Sequence, residues 1–233
     1  MNGFPPELIY DRLSGVYDHS YKEAIHKSED DFIYKYLMEK GLCEGKTLDL
    51  GSGTGSLLNH IEINPENYTG LDLSEKMIGI SNLKFPNHKF IKGDMSNMSF
   101  ENGSFDSVVS LFGSFSYSSD FFNTVQEIKR VLKPNGKFFI MAYSKNYFKR
   151  KSYILNRYNI CSPATFSSSK ELIELFKDFD SLKLFGITWQ SEFISKYLPY
   201  SFTRFYHFLE TKLLGSILPN KFFFIIITGQ KNA

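Results

Sequence analysis

Cysteine is nearly absent. Cys43 and Cys161 are the only two in 233 residues, and neither has a second cysteine or a histidine at metal-ligand spacing. Neither a disulfide framework nor a zinc site is supported, no metal is expected, and a reducing, cytoplasmic setting fits best. Long apolar runs are missing too: none reaches the ~18 residues a membrane-spanning helix needs. Met1 to Tyr10 shows no basic stretch leading into an apolar one, so secretion is not expected. No internal repeat or dividing linker appears, which leaves one domain over 1–233 as the expectation. Ordinary shares of apolar (42%) and charged (22%) residues place the chain among globular proteins rather than disordered or fibrous ones.

The net charge of +2 hides an uneven distribution. Residues 1–144 carry 14 Lys+Arg against 19 Asp+Glu, and residues 145–233 carry 13 against 6. That basic part also holds Trp189, Phe193, Tyr197, Tyr200, Phe202, Phe205, Tyr206 and Phe208. It is either a solvated surface over an aromatic core or a face for something anionic or apolar.

Short apolar runs alternate with longer amphipathic ones, the pattern of an α/β protein with a parallel sheet and crossover helices. Strands are expected at Lys46–Leu50, Tyr68–Leu73, His88–Lys92, Ser104–Leu111, Lys137–Tyr143, Leu182–Thr188 and Phe222–Thr228. Helices are expected from Ser28 through Leu37, from Gly55 to Ile61, after the N-cap Ser74 to Leu83, at Phe121–Leu132 and Ser169–Lys177, and within Glu192–Leu214. Pro134-Asn135-Gly136 reads as the turn into the fifth strand.

Chemistry concentrates in Thr47-Leu48-Asp49-Leu50-Gly51-Ser52-Gly53-Thr54-Gly55. Alternate glycines directly after a buried strand let the backbone take positive φ and let a ligand lie against the main chain. A Walker loop would need Gly-Lys-Ser/Thr, but Ser56 and Leu57 follow Gly55. A dinucleotide fingerprint would need Gly or Ala where Ser56 stands. Asp49, at the strand end, would repel a pyrophosphate and attract an ammonium group.

Asp72 closes the second strand, where a carboxylate can accept both hydroxyls of a ribose. Gly93-Asp94-Met95 closes the third and offers an acceptor for an exocyclic amine with a thioether beside it. Each acid alone could be an N-cap or turn residue. As an ordered set on neighbouring strand ends they describe a nucleoside joined to an amino acid.

Over about residues 8–144 the sequence resembles the class I S-adenosylmethionine-dependent methyltransferases, in particular the ubiquinone/menaquinone-biosynthesis and small-molecule subgroup. The resemblance rests on Asp49 to Gly55, Asp72-Leu73-Ser74-Glu75-Lys76-Met77, Asp94-Met95, Phe105 to Ser110 and Val131 to Lys137. It implies a Rossmann-like doubly wound seven-stranded sheet, mostly parallel with the last strand antiparallel, and helices on both faces. It implies that S-adenosyl-L-methionine is the cofactor and S-adenosyl-L-homocysteine the product. Asp49, Gly51, Ser52, Gly53 and Gly55 would hold the methionine part and Asp72 the ribose. Leu73, Met77, Asp94 and Met95 would meet the adenine, and Leu111 after the fourth strand completes the cofactor set. Tyr10 to Asp18 resembles the Tyr-Asp segment that covers the cofactor, with Tyr17 the first choice of lid residue. The chain then divides into an N-terminal lid and helix (1–45), a cofactor-binding core (46–144) and substrate-side insertions with the last two strands (145–233).

Methyl transfer from a sulfonium needs alignment more than activation, and a general base only for a protonated acceptor. Leu111 to Tyr117 contains no histidine, which weakens a His-based O-methylation, and no Asn-Pro-Pro-Tyr follows the fourth strand. Tyr17 and Tyr117 are the candidate catalytic residues, with Ser114, Tyr143, Tyr147, His19 and His26 as further substrate-side groups. The expected acceptor is an aromatic, lipidic or glycosylated small molecule. An RNA or protein methyltransferase and a cofactor-binding protein without transferase activity are the alternatives, although no nucleic-acid module is recognisable. Residues 1–27 and 189–219 are expected to cover the methyl group. The competing expectation makes Glu192 to Leu214 an oligomer or peripheral membrane contact.

Overall fold

The computed structural model describes residues 5–15, 24–147, 164–189, 195 and 197–233. Seven strands form one sheet: β1 (Thr47–Leu50), β2 (Tyr68–Asp72), β3 (Lys89–Lys92), β4 (Phe105–Ser110), β5 (Leu132–Tyr143), β6 (Asp180–Ile187) and β7 (Phe224–Gln230). Their order is β3-β2-β1-β4-β5-β7-β6, with β7 antiparallel to both its neighbours and the first five strands parallel. The expected seven-stranded, doubly wound sheet with an antiparallel last strand is what forms. Six described helices accompany it: α1 (Pro6–Leu13), α2 (Ala24–Glu39), α3 (Glu75–Lys84), α4 (Phe121–Val131), α5 (Ser169–Leu175) and α6 (Tyr200–Leu214).

Both faces of the sheet are covered, which is why its strands are apolar at consecutive rather than alternate positions. Phe138, Ile140 and Ala142 of β5 join Val125 and Ile128 of α4, Leu172 of α5 and Phe176 just after it on one side. Phe139 and Met141 join Ile33, Tyr34 and Leu37 of α2 on the other. Side chains this deeply buried contribute about 1.5–3 kcal/mol each. The buried Thr124, Val125, Ile128 and Val131 of α4 recur at helical spacing, so one stripe faces the sheet.

Three local expectations are corrected. No regular helix follows β1; a single 3-10 turn, Ser56–Asn59, takes its place. Asn59, the β-branched Ile61 and Ile63, and Pro65 leave little to propagate one. The helix expected to start at Ser28 already includes Ala24, and the Ser28 hydroxyl donates to the Ile25 carbonyl at 2.8 Å instead of capping. The Pro134–Gly136 turn lies inside β5 as an irregularity between the Phe105 and Ser107 pairings, with Asn135 at φ +61°.

The strand order places the site. The chain leaves β1 toward β2 on one side, while β4 pairs with β1 on the other, so the loops after β1 and β4 face each other at the topological switch point.

Candidate functional site

The β1 loop turns through three glycines at positive φ: Gly51 (+71°), Gly53 (+54°) and Gly55 (+84°). Their reasons differ. A Cβ on Gly51 would sit 2.4 Å from the Ser114 Cβ, so the β4 loop demands that glycine. A Cβ on Gly55 would lie 2.7 Å from the Phe85 ring, a packing demand. A Cβ on Gly53 would meet nothing within 4 Å, so this backbone borders open space.

Asp72 fastens the loop. Its Oδ2 accepts from the Gly53 N–H at 2.9 Å and its Oδ1 from the Ser74 N–H at 2.8 Å. Burial raises its pKa, the two N–H groups oppose that rise, and the Asp11 charge adds to it. Ser74 caps α3 by accepting from the Met77 N–H at 3.1 Å.

These elements enclose a cleft of about 610 Å³ including its open mouth. Gly51, Gly53, Asp72, Leu73, Met77 and Met95 from the expected cofactor set all line it, as do Ser114 and Tyr117 from the substrate-side candidates. Pro6, Glu7 and Tyr10 of α1 line it as well. Tyr10 meets Tyr117 edge-on with ring centres 5.3 Å apart, and Tyr117 meets Tyr143 at 6.1 Å. The cleft lining thus combines the Asp72 carboxylate, the thioethers of Met77 and Met95 and the rings of Tyr10 and Tyr117.

Five expected residues lie elsewhere. Asp49 is fully buried behind the loop and accepts from the Tyr68 hydroxyl at 2.9 Å. Burial pushes its pKa up to about 7, Tyr68 opposes the rise, and the Asp72 charge adds to it. Asp94 turns its carboxylate onto Ser96 and Ser119, accepting from the Ser96 N–H and hydroxyl at 2.8 Å and from the Ser119 hydroxyl at 3.1 Å. Leu111 belongs to the core under α2. Gly55 serves Phe85, and Ser52 points its buried hydroxyl at Gly70. Tyr17 and His19 lie outside the described residues.

His26 is buried in α2, 3.4 Å from Glu29, and Tyr147 is buried with its hydroxyl donating to the Trp189 carbonyl at 3.4 Å. α6 packs against α2 and β6, and none of its residues lines the cleft. Of the two stretches expected to cover the methyl group, α1 borders the cleft and α6 packs away from it. Tyr10 and Glu7 were not singled out as cleft residues from sequence. The signal available was the Tyr10 to Asp18 segment, in which Tyr17 rather than Tyr10 was the first choice of lid residue.

Residues 48–140 match the methyltransferase domain family. A demethylmenaquinone methyltransferase of Chlorobaculum tepidum is 34% identical over 124 residues, covering 52% of this chain and 51% of its own length. The ubiquinone/menaquinone biosynthesis C-methyltransferase of Wigglesworthia glossinidia brevipalpis is 32% identical over 166 residues, covering 64% and 66%. The matched stretch spans about half the length of most curated relatives it resembles. A solved S-adenosylmethionine-dependent methyltransferase of Thermotoga maritima superposes with a TM-score of 0.68 at 19% identity, covering 97% of this chain and 99% of the other.

Proposed function

The chain belongs to the class I S-adenosylmethionine-dependent methyltransferases of the ubiquinone/menaquinone type, and we propose from this that it transfers a methyl group from S-adenosyl-L-methionine to a small planar acceptor. The observation that carries the reading is the cleft, whose lining brings together the Asp72 carboxylate, the thioethers of Met77 and Met95 and the paired phenol rings of Tyr10 and Tyr117.

The residues fit the cofactor. Gly53 borders open space that a ligand can enter, and Asp72, already held by two N–H groups, keeps acceptor capacity for ribose hydroxyls. Leu73, Met77 and Met95 supply the apolar sides for an adenine. When bound, the cofactor supplies a methyl group on a sulfonium. Tyr10 and Tyr117 offer ring faces toward a cation, exclude water and align the acceptor. The titratable residues lining the cleft are Glu7, Tyr10, Asp72 and Tyr117 among those described. That set suits an acceptor that is already nucleophilic, such as an electron-rich ring carbon or an acidic phenol, more than an alcohol needing a strong base. Relatives named for demethylmenaquinone methylation agree with a ring acceptor.

Calorimetry with S-adenosyl-L-methionine, S-adenosyl-L-homocysteine, NAD and ATP tests the cofactor. Binding of the first two alone is expected; binding of NAD or ATP instead removes the reading. Mass spectrometry of a cell extract incubated with labelled cofactor and the protein then tests transfer. A labelled small molecule is expected, and label confined to RNA or protein would replace the acceptor class.

A further inference from the structure

α6 is built inside out. Its buried residues are Thr203, His207, Glu210 and Thr211. Its exposed ones include Phe202, Phe205, Phe208 and Leu213, at 53%, 59%, 48% and 63% exposure. The apolar surface continues past the helix C-terminus through Ile217, at 72%. Rows at 202, 205 and 208 and at 203, 207, 210 and 211 are stripes on different faces of one helix.

The rotation of α6 is specified by its polar face. Glu210 accepts from the Trp189 N–H at 2.9 Å. The Thr188 hydroxyl lies 3.3 Å from His207 Nε2 and also donates to Glu29 of α2. At the other end Arg204 pairs with Asp31 at 3.1 Å, and the Tyr200 hydroxyl donates to the same carboxylate. Turning the helix to bury its phenylalanines would break these bonds and leave Glu210 and His207 unsatisfied, a cost that the buried aromatic area would have to exceed. The aromatic row is therefore held toward solvent.

Cations flank it. A groove bounded by α2, β6 and α6 carries Lys35, Lys40, Lys183, Arg204 and Lys212 against Asp31 and Glu39. Asp31 is already paired with Arg204 and Glu39 with Lys35. Lys212 sits 5.8 Å from the centre of the Phe208 ring, so charge and aromatic surface are adjacent.

We propose that the outer face of α6, with the cations beside it, is a docking surface for an anionic lipid bilayer. Such a surface offers what the patch lacks: negative charge for the lysines and an apolar layer that aromatic rings enter to a depth of about 5–10 Å. A second copy of the chain fits less well, because two-fold pairing through this face would set the same cations against themselves.

The test is co-sedimentation of the full chain with vesicles of phosphatidylcholine alone and of phosphatidylcholine mixed with phosphatidylglycerol. Binding to the anionic vesicles, weakening as salt rises, is expected. Phe205→Ser should weaken it roughly tenfold, as the loss of one inserted aromatic requires. Lys212→Glu should weaken it by roughly fivefold or more. Both positions are exposed and outside the cleft, so melting temperature and cofactor affinity should match the parent in each variant. Equal binding to both vesicle types, binding to neither, or parent-like binding by both variants overturns the proposal. A dimer that Phe205→Ser dissociates, in a protein that ignores vesicles, assigns the face to a second copy instead.

Discussion

The Ser74 hydroxyl donates to the Asp11 carboxylate at 2.6 Å, and the same oxygen accepts from the Met77 N–H that it caps. Asp11 also accepts from the Lys76 N–H at 3.2 Å, so a carboxylate of α1 occupies the positive end of α3. Through its own N–H, Ser74 is tied to Asp72 as well. One serine thus joins the helix that walls the cleft, the acid inside it and the element that covers it.

Asp11→Ala should lower cofactor affinity by about 1–2 kcal/mol, mainly through faster release, because it frees Tyr10 and Glu7 from the cleft without touching the ligand. Stopped-flow dissociation measures it, and an unchanged off-rate would show that α1 is held by other contacts. The Ser74 hydrogen bond, the largest of several influences, holds the Asp11 pKa below the usual carboxylate value. A lowered folded pKa means the latch is complete above the ordinary value and is lost as pH falls through the lowered one. Faster release is therefore expected in acid only.

Gly53→Ala and Gly51→Ala should part company. Both residues have positive φ, which costs an alanine roughly 1–2 kcal/mol. At Gly53 the new methyl enters open space, so the protein should stay folded and lose cofactor affinity where a ligand follows the backbone closely. At Gly51 it would collide with Ser114 at 2.4 Å, so stability should fall further, with the β4 loop displaced. Melting curves beside calorimetry separate the two, and cofactor binding that survives Gly53→Ala would place the ligand away from this turn.

How far these features were legible depends on whether their cause is local. Ser74 reads as an N-cap because cap, acidic first turn and helix are contiguous, and the structure confirms its bond to Met77. Asp72 reads correctly as a cleft residue from its place at a strand end. Asp49 has the same local signature yet faces Tyr68, a residue on the neighbouring strand that periodicity cannot pair with it. Gly55 looks like a ligand glycine, but the demand comes from Phe85, thirty residues on. The basic and aromatic character of the stretch that holds α6 was visible in the sequence, and its second, polar stripe was not. That the polar stripe is the buried one depends on Glu29 and Thr188, far away in sequence.

Asp72→Ala should cost about 1.5–3 kcal/mol of cofactor affinity, the value of charge-assisted hydrogen bonds to two hydroxyls. It also releases the Gly53 N–H, so part of the loss reflects a looser loop. Calorimetry with adenosine in place of the full cofactor isolates the ribose contribution. Equal affinities for parent and variant would move the ribose elsewhere.

The last expectation concerns pH and stability. Asp49 is enclosed in β1, with one hydrogen bond, from Tyr68, to support its charge. Its folded pKa of about 7 lies above the ~3.9 of an unfolded aspartate. Between the two values the folded chain binds more protons than the unfolded one, so this residue's contribution declines as pH rises through that window and levels off above about 7. The difference corresponds to roughly 4 kcal/mol at most. Asn at this position stays neutral at every pH, and its amide oxygen can still accept from Tyr68. Asp49→Asn should therefore match the parent near pH 4, exceed it near pH 8, and show a flatter slope between them in denaturant melts. A variant less stable than the parent at about pH 8 would show that the ionised carboxylate is stabilised by the glycine loop, returning Asp49 to the role of a charge held ready for an ammonium group.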